Sequence, residues 1–330
     1  MADIVHHILT MLCRIKCIAA LHSKRIYHYC NKCGPICIKC KRNSIYLAFA
    51  YLCHKCNKSF CLHHYQMPIH CNIIYYTTHP RHIVFFNKTT QLKTTIVLSA
   101  DLPQSTDSIS YGGRIFIIGG YTSGVSDVVY EVNILTKKFI KKSPMLCKKY
   151  AHSLCISNNE IYSIGGFQQT NIDDCQKYNV AKNKWTQLPH LNFTRDFSAA
   201  FSFNNKKVYS LGGHSTAGIL NSMESVCVSA PVSWENEVIS NAFASRYGLH
   251  AIQISNSEVL VFGGGIESYK MKINNSIMIK ECANMVSSDL FYESVAPVYD
   301  GKNVYGVDSG GNIHIYSIKK DSWSIITKMK

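Results

Sequence analysis

The sequence predicts an all-β repeat assembly preceded by a small cysteine-rich module, and three observations carry that reading. An apolar run closed by two glycines recurs four times at nearly constant spacing. Pairs of aromatic residues seven positions apart fall in phase with it. Ten of the fifteen cysteines lie at or before Cys71, mostly in close pairs.

The repeat is read at Ile115–Gly120, Ile161–Gly166, Val208–Gly213 and Val259–Gly264, and the offsets between successive first glycines are 46, 47 and 51 residues. A fifth copy, Val304–Ser309, keeps the apolar run and loses the glycines. Repetition at this period means units that cannot bury an apolar face alone and do so against a neighbour. Within the clearest unit, Ala151–Ser157 alternates, Asn158 and Asn159 supply a turn, and Ile161–Ile164 is a short buried strand. Cys175–Val180 follows, then a turn over Lys182 and Asn183 and a fourth strand from Trp185. Short strands bounded by Asn and Gly favour an all-β assembly over alternating strands and helices.

Tyr178 and Trp185 are seven positions apart, as are Tyr316 and Trp323, and Val132 and Phe139 hold the same slots one unit earlier. A large ring there would fill the wedge between neighbouring sheets. Double glycine, then tyrosine, then tryptophan at this spacing resembles the kelch repeat, over about residues 105–330. Trp234 departs from it in having no matching tyrosine. The resemblance implies a kelch-type β-propeller. Residues 72–103 resemble a further, shortened blade: His82–Asn87 is similar to Asn312–Ser317, Leu92–Leu98 supplies an outer strand, and no innermost strand precedes them. With the five better units this gives about six blades. Residues 265–290 show weak repeat features and no tyrosine–tryptophan pair.

Ahead of the repeats runs a ladder, Cys37-x2-Cys40-x12-Cys53-x2-Cys56-x4-Cys61-x2-His64-x5-His70-x8-His79. Thiolate and imidazole are the ligands tetrahedral zinc prefers, and a two-residue gap lets one tight turn present both to one ion. The ladder resembles the B-box type zinc finger. That resemblance implies two zinc ions, one on Cys37, Cys40, Cys61 and His64, the other on Cys53, Cys56, His70 and His79. Cys30 and Cys33 are an alternative pair to Cys37 and Cys40, Cys71 to His70 or His79, and His63 to His64. Four protein ligands leave no open position, so the zinc role expected is structural. The expected organisation is a helical N-terminal segment 1–29, a zinc-binding module 30–79 and a propeller 72–330, with the last two overlapping.

Net charge is +15, of which residues 1–80 hold ten Lys or Arg against one acid, Asp3. The remaining 25 cations and 19 acids leave +6. Paired cysteines of this kind suit metal binding in a reducing compartment rather than a disulfide framework. The apolar stretch Ile4–Leu21 is broken by His6, His7, Arg14 and Lys16, which suits neither a signal peptide nor a membrane span. A cytoplasmic protein is expected.

No phosphate-binding loop, nucleophile elbow or zinc-protease helix is present. Gly263–Gly265 follows a strand but lacks the lysine and helix of a phosphate loop. Scattered His152, His214 and His250 read as strand or loop residues. Arg195 and Arg246 each stand seventeen residues before a glycine pair, which reads as a repeated structural slot or as two cations lining one mouth.

The function expected is a non-catalytic scaffold or adaptor. The kelch resemblance implies a protein partner on the propeller loops. The B-box resemblance implies self-association or assembly with a ligase, with recruitment for ubiquitin transfer as one use. The alternative is nucleic-acid binding through Lys24, Arg25, Lys32, Lys39, Lys41 and Arg42, interleaved with Tyr27, Tyr29 and Tyr46. A propeller enzyme with Tyr and His ligands is the third reading.

Overall fold

The computed structural model describes residues 51–53, 58–60, 73–78, 81–87, 93–99, 101–112, 114–133, 138–239, 243–244, 246–287, 295–308 and 310–326. The chain divides into two compact units, 1–71 and 72–330. Of the first, the described part is an antiparallel hairpin, β1 (Tyr51–Cys53) with β2 (Lys58–Phe60), in the register Cys53↔Lys58. Apart from the backbone of Cys53, the proposed zinc ligands Cys37, Cys40, Cys56, Cys61, His64, His70 and His79 lie outside the described residues.

The second unit is a six-blade β-propeller. Blade one is three-stranded: β3 (Ile73–Thr78), β4 (His82–Asn87) and β5 (Lys93–Val97). Blade two is β6 (Asp107–Tyr111), β7 (Arg114–Ile118), β8 (Val129–Asn133) and β9 (Phe139–Lys141). Blade three is β10 (Ser153–Ser157), β11 (Glu160–Ile164), β12 (Cys175–Asn179) and β13 (Lys184–Gln187). Blade four is β14 (Ala199–Phe203), β15 (Lys207–Leu211), β18 (Met223–Cys227) and β19 (Glu235–Glu237); between its second and third strands stands a small hairpin, β16 (His214–Ser215) with β17 (Gly218–Ile219). Blade five is β20 (Leu249–Gln253), β21 (Glu258–Gly263), β22 (Ser268–Ile273) and β23 (Ile277–Cys282). Blade six is β24 (Val298–Tyr299), β25 (Asn303–Val307), β26 (Ile313–Ser317) and β27 (Ser322–Ile326). Strands within each four-stranded blade are termed A to D from the innermost outward.

The apolar runs are B strands, and their burial explains why they do not alternate. Ile115–Ile118 and Val259–Phe262 are all fully buried, because a B strand lies mid-sheet with a neighbouring blade on each side. The core is accordingly a series of layers between blades. Val208, Val226 and Trp234 of blade four pack on Tyr162, Ile164 and Cys175 of blade three. Phe201, Tyr209 and Met223, one pleat away, pack on Val261 and Met271 of blade five.

The aromatic pairs are cross-strand partners on the C and D strands. Tyr178 faces Trp185, Tyr316 faces Trp323, and Val132 faces Phe139. Each indole also reaches towards the preceding blade: Trp185 Nε1 donates to the Ser143 carbonyl, Trp234 Nε1 to the Pro189 carbonyl, and Trp323 Nε1 to Ser268 Oγ, at 2.9–3.0 Å. The tyrosine hydroxyls close the C–D turns, Tyr178 on Asn183 Oδ1 at 2.6 Å and Tyr316 on Asp321. Both acceptors have positive φ, as do Asn158, Asn159, Asn204 and Asn205 in the A–B turns. Asn adopts that region more readily than most side chains.

Blade five is as regular as its neighbours, although its stretch of sequence shows little repeat character. Met271 faces Ile279 where other blades carry rings. Blade six has Asp308 at the first glycine position, and its carboxylate binds the Asn312 backbone N–H and side-chain amide and His314 Nε2, each at 2.9 Å. The next blade, blade one, has no innermost strand among the described residues. Instead the lead-in to blade six reaches blade two directly, Ala296 N–H donating 3.0 Å to the Ser108 carbonyl beside a parallel bridge between Val295 and Ser108.

Candidate binding face

The antiparallel order places every B–C and D–A loop on one face and every A–B and C–D turn on the other. The glycine pairs build the first face. In blades two, three and four the second glycine N–H donates to the carbonyl of a cationic residue entering the next blade: Gly120 to Lys149, Gly166 to Arg195, and Gly213 to Arg246, at 2.7–3.1 Å. A Cβ on the first glycine of each pair would collide with that same carbonyl, so the spacing of glycine and cation is one structural device repeated three times.

The cations serve the frame more than the surface. Arg195 is fully buried; its guanidinium donates to the Gly212 and Ser222 carbonyls and pairs with Glu224, also fully buried. Lys149 is fully buried too and pairs with Asp174 at 2.7 Å. Arg246 is closer to the surface, paired with Glu267 at 2.8 Å and lying over the Tyr269 ring. Of the two readings of Arg195 and Arg246, the structural slot therefore holds for Arg195, and Arg246 combines both.

In blades two to four the residue after the glycine pair bridges to a residue leading into the same blade, in blades three and four the one after Lys149 or Arg195, and these neighbours line the mouth. The bridges are Gln104 with Tyr121, Tyr150 with Phe167, and Asp196 with His214. Ring contacts join them across blades: Tyr121 to Tyr150 at 5.9 Å, Tyr150 to Phe167 at 5.4 Å, and His214 to Tyr247 at 6.4 Å. In the middle of this arc lies Asp196, 4% exposed. Its Oδ1 has no hydrogen-bond donor among the described residues, and the ring Nδ1 of His214 is 3.7 Å away. Burial raises the Asp196 carboxyl to about 6, and the His214 charge offsets this only in part. Tyr150 is raised as well, first by burial and then by the charge of Asp196. The sequence singled out His214 but not Tyr150, Phe167, Asp196 or Tyr247. Their one signal is position, directly after a glycine pair or a cation slot.

The other two histidines are internal. His152 lies against Asp107 at 3.1 Å on the innermost strands, and burial drives its imidazole well down. His250 packs on Phe262 at 5.5 Å and is pushed down to about 4 by burial alone.

Exposed apolar side chains mark the same face. Leu146, Phe193, Val238 and Val286 lie on D–A connections, and Tyr121, Ile219 and Ile266 on B–C loops. On the opposite face the exposed large apolar residue among those described is Val232. No helix among the described residues is long and apolar enough to cross a membrane.

Blades joined by these glycine and indole links, with a variable arc at one mouth, define a repeat propeller. The KLHDC2/KLHL20/DRC7 Kelch-repeats domain matches residues 105–290. The chain belongs to the kelch-repeat family. It is 24% identical over 250 residues to Kelch repeat and BTB domain-containing protein 2 of cowpox virus, covering 69% of this chain and 41% of the relative. It is 22% identical over 259 residues to Kelch-like protein 25 of Xenopus tropicalis, covering 71% and 43%. To the F-box/kelch-repeat protein SKIP30 of Arabidopsis thaliana it is 24% identical over 132 residues, 36% of this chain and 38% of the relative. The chain thus spans about two-fifths of the length of these relatives.

Proposed function

We propose that this chain is a non-catalytic protein-binding adaptor whose partner docks on the face formed by the B–C and D–A loops. The observation that carries this is the segregation of exposed large apolar side chains: of the eleven among the described residues, seven lie on that face and one on the other. Apolar residues grouped in this way mark interaction surfaces, whereas singly scattered ones do not. Relatives named for BTB and F-box regions beside their kelch repeats support an adaptor role, with the captured protein recruited for ubiquitin transfer in the cytoplasm. The cysteine–histidine ladder ahead of the propeller would hold two structural zinc ions and support assembly. A hairpin whose strands flank Cys56 and end at Cys53 suits a zinc knuckle.

The test is affinity capture with the full chain from its native cell extract, using wild type, the double variant Phe193→Asp/Ile219→Asp, and Val232→Asp as opposite-face control. A near-stoichiometric protein should be held by wild type and control and be reduced at least about tenfold by the double variant. Equal capture by all three baits would show that the face is not the docking surface.

A further inference from the structure

The chemistry at the centre of the face narrows what a partner must carry; this step rests on the docking reading above. Among the acidic side chains on this face in blades three to five, Asp174 pairs with Lys149, Glu224 with Arg195 and Glu267 with Arg246, and the exposed Asp173 meets His190. Asp196 differs in having no Lys or Arg partner among the described residues. Its neighbour Arg195 is turned down to Glu224, and the group facing Asp196 is a half-exposed His214 ring whose Nδ1 also lies 3.4 Å from the Asn171 amide. A buried carboxylate with no hydrogen-bond donor at one oxygen is costly, and Tyr150, which feels the Asp196 charge, is in ring contact with Tyr121 and Phe167. Aromatic faces next to a carboxylate are the surroundings a desolvated cation prefers.

We propose that the mouth between blades three and four receives a lysine or arginine side chain of the partner protein, its stem against Tyr150 and Phe167 and its charge over Asp196. The His214 ring, 47% exposed at the side chain, borders this position. Local charge accounting supports this occupant over an acidic one: an arriving carboxylate would meet Asp196, which the His214 ring alone offsets in part, while the nearby Lys149, Arg195 and Arg246 are each already paired.

The test uses the full chain against an array of capped dodecapeptides with random flanks and a fixed central Arg, Lys, citrulline or norleucine. Wild type should retain the Arg and Lys sets at least about tenfold better than the two neutral sets. Asp196→Asn should remove that preference while keeping the weaker retention that apolar flanks provide, and Tyr121→Ala should reduce it. Equal retention of all four sets by wild type overturns the cation site and leaves the docking face standing. Retention of none of them overturns the docking face, and the cation site with it. The wild-type comparison decides the matter even where a variant fails to fold.

Discussion

The N–H of Gly166 donates 2.8 Å to the carbonyl of Arg195, a residue that belongs to the next blade. Gly165, beside it, has φ of +61° and would press any Cβ onto the same carbonyl. Gly165→Ala therefore combines a left-handed backbone penalty of about 1–2 kcal/mol with a collision against main chain that has no rotamer to escape through. A drop in denaturation midpoint clearly larger than that of Gly124→Ala is expected; Gly124 has open space around it and φ outside the left-handed region. Equal behaviour of the two variants would contradict this role of the pair.

Arg195 and Glu224 are buried at the side chain without residue. Losing one partner strands the other's charge, so Arg195→Leu or Glu224→Leu alone should each cost about 3–5 kcal/mol, and the double variant less than their sum. Arg195 also donates to the Gly212 and Ser222 carbonyls and Glu224 also accepts the Asn192 N–H at 2.6 Å, so either single change leaves further groups unpaired. Urea unfolding of all three measures the coupling, and simple additivity would argue against a working pair.

Trp185 couples stacking on Tyr178, ring centroids 5.0 Å apart, to a hydrogen bond on the Ser143 carbonyl. Trp185→Phe keeps a ring and removes the bond. A loss of about 1–2 kcal/mol is expected. The same substitution with no change in stability would mean that the indole link between blades carries no energy.

Acid should reveal two opposed groups. The folded-state value of His250 is about 4, below its unfolded value near 6.5, so stability is lost as pH falls between them, by about 3 kcal/mol in all. Asp196 runs the other way. Its folded value of about 6 exceeds the unfolded one near 4, so its contribution is full at low pH and is lost as pH rises through 6. In wild type the two largely offset between pH 6.5 and 4. His250→Phe should gain stability on acidification across that window relative to wild type, and Asp196→Asn should lose it. Parallel pH profiles for all three proteins would rule both assignments out.

Much of the fold was legible because its strongest constraints act on side-chain type. B strands between two blades are apolar or small at their buried positions, Ser163 and Ser210 included, and D strands that fill the wedge favour Trp. Blade five escaped because Met271 and Ile279 face each other without rings, eight positions apart where Tyr178 and Trp185 are seven apart. Blade six carries Asp308 in place of the first glycine. The mouth was far less legible. Tyr121, Phe167 and His214 occupy one backbone slot but differ in chemistry, and a slot that varies from repeat to repeat gives no periodic signal. Arg195 is conspicuous in sequence yet serves the frame, while Asp196 beside it lines the surface.

In blades two to four the first glycine of the pair is shaped by the main chain leading into the blade that follows, which gives the repeat a reading direction. The natural unit of exchange is then not a sheet but the segment from one glycine pair to the next, which keeps each first glycine with the carbonyl that demands it. Recombinants cut between A–B turns would exchange blades with matched loops; cuts at sheet boundaries would separate Gly165 from Arg195 and place each beside a stranger.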